Sequence, residues 1–400
     1  MNRSAAWAVY LPVLVFETGM GAVLPVAALS AVDLGASLAT AGLVVALLAI
    51  GQILGDVPAG AVATRLGDRR AMLVAACIAV VLLVGAALAR EVVVLGGCLL
   101  LLGAVNAVFT LARQSYLTET TPVLKRARAL STLAGLQRVG TFIGPFAGAA
   151  VIHLTDVRAA YWLAVGTSAA AAVVVALVPD DVAHEPRAVS ADSARRVFLD
   201  HRQIFFSLGL AVVLVGAARG ARQTVLPLWA EHLGLPPATT SIVVGISGGV
   251  DMLLFYPAGK LMDVRGRLWT AVPSMLVLAL GFALLPLSAG VVALTGAAMV
   301  IGLGNGMGSG ILMTLGADVA PAATRAQFLG IWRLFQDSGN AAGPLLVAAG
   351  AALGSLAGGI LAMAGVAVAS AAALIRWVPR WSVHATPATR QRAREAGLLD

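Results

Sequence analysis

Nine ionisable side chains interrupt stretches of this chain that are otherwise apolar: Glu17, Asp56, Arg113, Arg138, Arg219, Arg222, Asp251, Arg333 and Asp337. They are all carboxylates or guanidiniums. A carboxyl can take up and release a proton, whereas an arginine keeps its charge and offers five donors in a fixed fork, so this pair of groups suits proton exchange and anion recognition. The histidines do not join them. His153, His184, His201, His232 and His384 fall in loops or at helix ends, which suggests neither a metal cluster nor a histidine acid–base pair. No P-loop is present, so an ion gradient is a better energy source than ATP, and no cofactor is expected. Helical spacing groups some of the polar residues: Asn106, Thr110 and Arg113 form one stripe, Arg219, Arg222 and Gln223 share a face, and Asn305 with Ser309 makes a milder stripe.

The elements that hold these residues follow from composition. Hydrophobic residues make up 60% of the chain and charged ones only 12%, too few charges for a water-facing surface. Apolar runs long enough to cross a bilayer recur near 7–28, 39–63, 71–89, 92–118, 129–152, 159–178, 203–227, 239–262, 269–288, 291–317, 327–350 and 355–377. The chain therefore reads as an all-α polytopic membrane protein with twelve spans. The first run follows Arg3 but is too long for a signal peptide, and further spans follow at once. Cys77 and Cys98 lie inside apolar runs, which argues against a disulfide framework. An ionisable group at such depth costs at least ~2.5 kcal/mol, so each of the nine is a functional candidate.

The net charge of +8 is one-sided. With both termini on one face, that face receives Arg3, Arg65, Arg69, Arg70, Lys125, Arg126, Arg128, the arginines between 187 and 202, Lys260, Arg265, Arg267, Arg325 and the basic tail from Arg376 to Arg394. The other face receives Arg90 and Arg158. The positive-inside rule then predicts a multi-pass protein of the cell membrane with cytoplasmic N- and C-termini, its charge facing lipid headgroups rather than nucleic acid.

Sliding the sequence by 199 residues brings Pro58-Ala59-Gly60 onto Pro257-Ala258-Gly259, Gly67 onto Gly266, and Asn106 onto Asn305. It also brings Gln137, Gly140, Gly144 and Pro145 onto Gln336, Gly339, Gly343 and Pro344. One unbroken offset over that length means a tandem duplication of six spans each, with the halves parallel. The register is expected to slip at the start of each half, where "VLP" at 23 and at 225 needs an offset of 202. The predicted organisation is a six-helix bundle over 1–178, a cytoplasmic linker at 179–202, a second bundle over 203–378 and a basic tail at 379–400.

The stretch "GKLMDVRGR" at 259–267 resembles the loop signature of the major facilitator superfamily, with Gly259, Leu261, Asp263, Gly266 and Arg267 in place. The first copy keeps Gly60, Arg65, Gly67, Arg69 and Arg70 but has Thr64 where the acid stands, with Asp68 a partial substitute. "GTFIGPFAG" at 140–148 resembles the superfamily's antiporter signature, and the alternative reading of Gly140, Gly144 and Pro145 is tight helix packing beside a bend. The whole chain is similar to twelve-helix drug/proton antiporters.

That resemblance implies a central cavity lined by spans 1, 4, 7 and 10. It would place Glu17 there as proton carrier, with Arg113, Asn106, Arg219, Arg222 and Asn305 as substrate ligands. The alternatives are a permanent Glu17–Arg113 ion pair and arginines that snorkel to the interface. It also implies that Gly60 and Gly259 let neighbouring helices approach, and that Asp263 faces the helix beginning near Leu130. Spans 2 and 11, and 5 and 8, would face each other. Depth arithmetic then pairs Asp56 with Arg333 and Arg138 with Asp251 as a gate, against the alternative that Arg333 bonds Asp337 one turn away. The expected function is alternating-access secondary transport, not enzymatic, by a monomer that takes a small molecule and protons: proton-coupled efflux of small amphiphilic compounds. The alternatives are an organic-anion symporter or exchanger and, in another class, a membrane receptor on the same scaffold.

Overall fold

In the computed structural model, residues 3–121, 126–177, 191–321 and 324–395 are described. Lys125, the first half of the expected linker and the last five residues of the tail lie outside them, as does the side chain of Thr64. The first half runs α1 (Arg3–Asp33), α2 (Leu38–Leu66), α3 (Asp68–Ala87), α4 (Val92–Thr120), α5 (Arg126–Leu154) and α6 (Ala159–Ala176). After α7 (Ala191–Asp200), the short α8 (Arg202–Ile204) passes through a π-helical turn at Phe205–Gly209 into α9 (Leu210–His232). Then come α10 (Pro237–Arg265), α11 (Leu268–Leu284), α12 (Val291–Met307), α13 (Ile311–Val319), α14 (Arg325–Ala352), α15 (Leu356–Trp381) and α16 (Pro387–Glu395).

These helices reproduce the twelve expected spans among the described residues, with span 7 built from α8 through α9 and span 10 from α12 and α13. Ten spans are apolar and long enough to cross a membrane by length and composition. The two others are α5 and α14, which carry Arg138 and the Arg333–Asp337 pair. Contacts divide the chain into two compact units, Met1–Arg187 with Leu226–Gly245, and Ala188–Val225 with Ile246–Asp400. In the first, α1 packs on α5 and α6, α2 on α4, and α3 on α4 and α6. In the second, α11 packs on α12 and α15, and α14 on α15.

Glycine fixes how closely these helices approach. A Cβ on Gly144 would lie 2.5 Å from the Thr18 carbonyl oxygen and 2.7 Å from the Ala22 nitrogen, and one on Gly140 would lie 2.7 Å from the Leu14 oxygen. The second copy does the same on α9: Gly339 meets the Val213 oxygen, and Gly343 meets the Ala217 oxygen and the Ala221 nitrogen. Leu14, Thr18 and Ala22 plus 199 are Val213, Ala217 and Ala221. The register therefore does not slip at the start of the halves. Backbone contact pins α1 and α9 at the common offset, and the "VLP" match at 202 joins residues of different height.

The loop glycines repeat too. Gly35 and Gly234 have φ of 88° and 69°, and Gly67 and Gly266 have 82° and 97°, left-handed values at which a side chain is strained. The expectation for Gly259 needs correction, since a Cβ there would meet no described atom within 4 Å. The surroundings of Gly60 lie outside the described residues.

Span 10 is broken, which the hydropathy did not foretell. Its glycines at 304, 306, 308 and 310 each weaken the helix by about 1 kcal/mol relative to alanine. α12 ends at Met307, and Gly310, left-handed with φ of 78°, precedes α13. Ser309, expected on a helical stripe with Asn305, lies instead in this turn, although it is buried.

Candidate functional site

Each unit holds its own buried cluster of charge. In the first, the Arg113 Nη1 of α4 donates to the Glu17 Oε1 of α1 at 2.7 Å, with the two side chains 0% and 9% exposed. Phe109, one turn before Arg113, stacks on Phe16 at 4.4 Å and lies under the guanidinium at 5.8 Å. Glu17 is held at its depth from behind, because Gly140 of α5 lets the two backbones touch beside it. Arg113 is not a snorkelling residue. Its Nε and Nη2 are buried and bond to nothing among the described residues, as is the Oδ1 of Asn106 on the same stripe. The pair is thus half-saturated: one carboxylate oxygen is engaged, and two guanidinium nitrogens face no acceptor.

In the second unit, Arg219 and Arg222 of α9 meet Asp251 of α10 and Asn305 of α12. Arg222 Nη1 donates to Asp251 Oδ2 at 3.2 Å, and Asn305 Nδ2 donates to the same oxygen at 2.7 Å. Arg219 Nε donates to Asn305 Oδ1 at 2.9 Å and its Nη1 to the Gly308 carbonyl at 3.3 Å, which also accepts from the Ile311 amide at 3.2 Å, so it braces the turn after α12. Two guanidiniums thus meet one carboxylate here. Asp251 Oδ1 is buried without a hydrogen-bond partner among the described residues, and Arg222 is 23% exposed. Glycine again brings the backbones together, with Gly306 of α12 against Asp251.

Asp251 was expected opposite Arg138 and Arg333 opposite Asp56. Asp251 bonds inside its own unit, and Arg333 Nε reaches Asp337 Oδ2 at 3.4 Å, where Asn340 also donates to Asp337 Oδ1. Asp56 and Arg138 are both half-buried, on α2 and α5.

The loop signature has a partner that the sequence did not reveal. Arg267 forms a two-pronged bond with Asp318 at the end of α13, Nε to Oδ2 at 2.9 Å and Nη2 to Oδ1 at 3.2 Å, and reaches Asp263 at 3.2 Å. Asp318 is 10% exposed and Asp263 75%, so Asp318 is the principal counter-ion. Burial alone would lower the Arg267 pKa, but the bonds and charges of Asp318 and Asp263 outweigh it and raise the group above its ordinary value. The available signal was an acid just before the loop that ends span 10. The first-half loop is wired differently. Asp68 is buried in the first turn of α3, where a carboxylate suits the helix dipole. Arg69 donates to the Val175 and Ala176 carbonyls at 3.2 and 2.7 Å, closing the end of α6.

Among the described residues, an all-helical, duplicated fold with charged side chains buried among membrane-length helices defines a polytopic membrane-protein scaffold. The Major Facilitator Superfamily model matches residues 9–344 and 208–398, and the chain belongs to that family. No curated protein matches it. Among solved structures, a POT family transporter in complex with a thioalcohol conjugated peptide is similar with a TM-score of 0.76 at 13% identity, covering 94% of this chain and 96% of that one. The same family in complex with 5-aminolevulinic acid gives 0.76 at 12%, with 94% and 96% covered. The nucleoside transporter NupG gives 0.74 at 17%, with 94% and 99% covered. At these identities the likeness concerns the fold.

Proposed function

We propose that the chain is an alternating-access secondary transporter in which proton exchange at Glu17 drives the movement of small amphiphilic compounds bearing an anionic group. The observation that carries this is the buried Glu17–Arg113 pair, with two Arg113 nitrogens left over. An incoming anion competes with Glu17 for the guanidinium, and the displaced carboxylate, deprived of its counter-ion, takes a proton. Anion and proton then travel together. The partly exposed Arg222 beside Asp251 supports the same substrate charge by offering charge-assisted hydrogen bonds.

Efflux by proton exchange is the second reading, favoured by the likeness of residues 140–148 to the antiporter signature. In that mechanism a cationic or donor-rich substrate competes with the proton for Glu17 itself. Both copies of the glycine pair serve helix packing, which accounts for this stretch without exchange. The charge bias supports cytoplasmic termini. The duplication supports two six-helix bundles, 1–178 and 203–378, joined by a linker at 179–202, acting as a monomer with the 379–400 tail on the cytoplasmic side.

The test is gradient-driven flux in proteoliposomes across a panel of anionic and cationic compounds. Accumulation of an anion toward the alkaline side, abolished by Glu17→Gln with ligand binding retained, is the expected result. Undiminished gradient-driven transport in that variant removes Glu17 from the mechanism, and accumulation toward the acidic side selects exchange over cotransport.

A further inference from the structure

We propose that the segment from Arg376 to Glu395 is a docking surface for anionic lipid headgroups, clamped to the α10–α11 loop so that lipid charge and loop position are linked. At 1.5 Å per residue, the 26 residues of α15 span ~39 Å, longer than a hydrocarbon core of ~30 Å, so its final turns emerge at headgroup level. Those turns carry Arg376 and Arg380, both exposed, stacked over the half-buried Trp377 at 5.3 and 4.9 Å. Arg265 lies over Trp269 at 5.4 Å beside the loop. Indoles with flanking arginines are interfacial anchors.

The charge of the segment is one-signed. Between Leu356 and Glu395 there are five arginines and one glutamate, 5 − 1 = +4, and three of the arginines fall on α16, where the Arg392 side chain is exposed. A short basic helix directly after a span matches the negative surface of an anionic leaflet, on the order of a fivefold gain in partitioning per arginine. A zwitterionic surface offers no such gain.

The clamp is made of backbone. The amides of Arg267 and Leu268 donate to the carbonyls of His384 and Ala385 at 3.0 and 3.1 Å, and Ser382 Oγ donates to Asp318 Oδ2 at 2.9 Å. A Cβ on Gly266 would lie 2.6 Å from the Ala385 oxygen, so the tail fills the space that this glycine leaves. Thr386 caps α16 by accepting from the Thr389 amide at 3.2 Å, which fixes the helix to the clamped turn. The tail thus shares Asp318 with the signature arginine. Lipid that holds α16 also holds the loop.

Hydrogen exchange on the full chain in nanodiscs tests this, independently of transport direction and of membrane orientation, since both leaflets are alike. Amides 386–395 should exchange on the order of 10-fold more slowly in phosphatidylcholine discs containing phosphatidylglycerol than in phosphatidylcholine alone, with Arg267 and Leu268 slowed in parallel. Arg390→Gln/Arg392→Gln/Arg394→Gln should erase the difference while exchange elsewhere in the second unit is unchanged. High salt should erase it in the unmodified protein, which keeps the test valid if that variant folds poorly. Equal protection in the two lipids would mean that α16 packs on protein and would overturn the proposal. So would protection produced by inorganic phosphate in phosphatidylcholine discs.

Discussion

Gly144→Ala measures how tightly the first six helices are packed around Glu17. The new Cβ would stand 2.5 Å from the Thr18 oxygen, 2.6 Å from the Gly21 carbonyl carbon and 2.7 Å from the Ala22 nitrogen, whereas real Cβ contacts rarely fall below 3.0–3.4 Å. These are backbone atoms on a packed helix and cannot rotate away. α5 must then withdraw from α1 by about 0.5–0.9 Å, an overpacking strain of roughly 1–3 kcal/mol. Gly135 on the same helix supplies the control, because a Cβ there meets nothing within 4 Å. Both substitutions gain the same helix propensity, up to about 1 kcal/mol, so their difference isolates the packing. Denaturant or thermal unfolding in detergent should place Gly144→Ala below Gly135→Ala by roughly 1–3 kcal/mol. Stabilities within about 0.5 kcal/mol of each other would refute the close-packing argument, since independent surface changes scatter by that much.

Arg222→Gln should weaken the binding of an anionic ligand more than that of its neutral analogue, read as ligand-induced thermal stabilisation; equal weakening would make the arginine structural. Asp318→Asn leaves Arg267 without its principal counter-ion and should cost about 3 kcal/mol of stability. Asp263→Asn, at a side chain 75% exposed, should cost less than about 1 kcal/mol, and equal costs would contradict the ranking of the two acids.

Much of the fold could be read from the sequence because its signals are one-dimensional. Span length, the one-sided charge and the common offset need no knowledge of which way a helix faces. The ion pair of Glu17 with Arg113 was one of two readings open from the sequence, and Gly140 with Gly144 was one of two likewise. Azimuth was not legible. Depth arithmetic put Asp251 near the height of Arg138, but height is shared by every helix in the bundle, and the rotation of α10 turns this carboxylate toward Arg222 and Asn305. Asp318 escaped notice for another reason: it sits at the end of a span whose break hides where α13 leads. Gly259 shows the reverse error, a motif glycine given a packing role that its surroundings do not require.

The break at Gly308–Gly310 has a mechanical consequence. An unbroken span transmits a push along its whole length, whereas α13 is a separate rod of nine residues, ~13 Å long, fastened near its upper end by the Trp332 indole on the Leu312 carbonyl and at its lower end by Asp318 on Arg267. Directly above it, Arg219 holds the carbonyl of Gly308. The turn is therefore a joint with a charged grip on one side and an ionic anchor on the other. Without the Arg219 bond, Gly308 would be held by the Ile311 amide alone, and movement at the joint would reach the far end of the rod, where the loop arginine and the tail both hold Asp318.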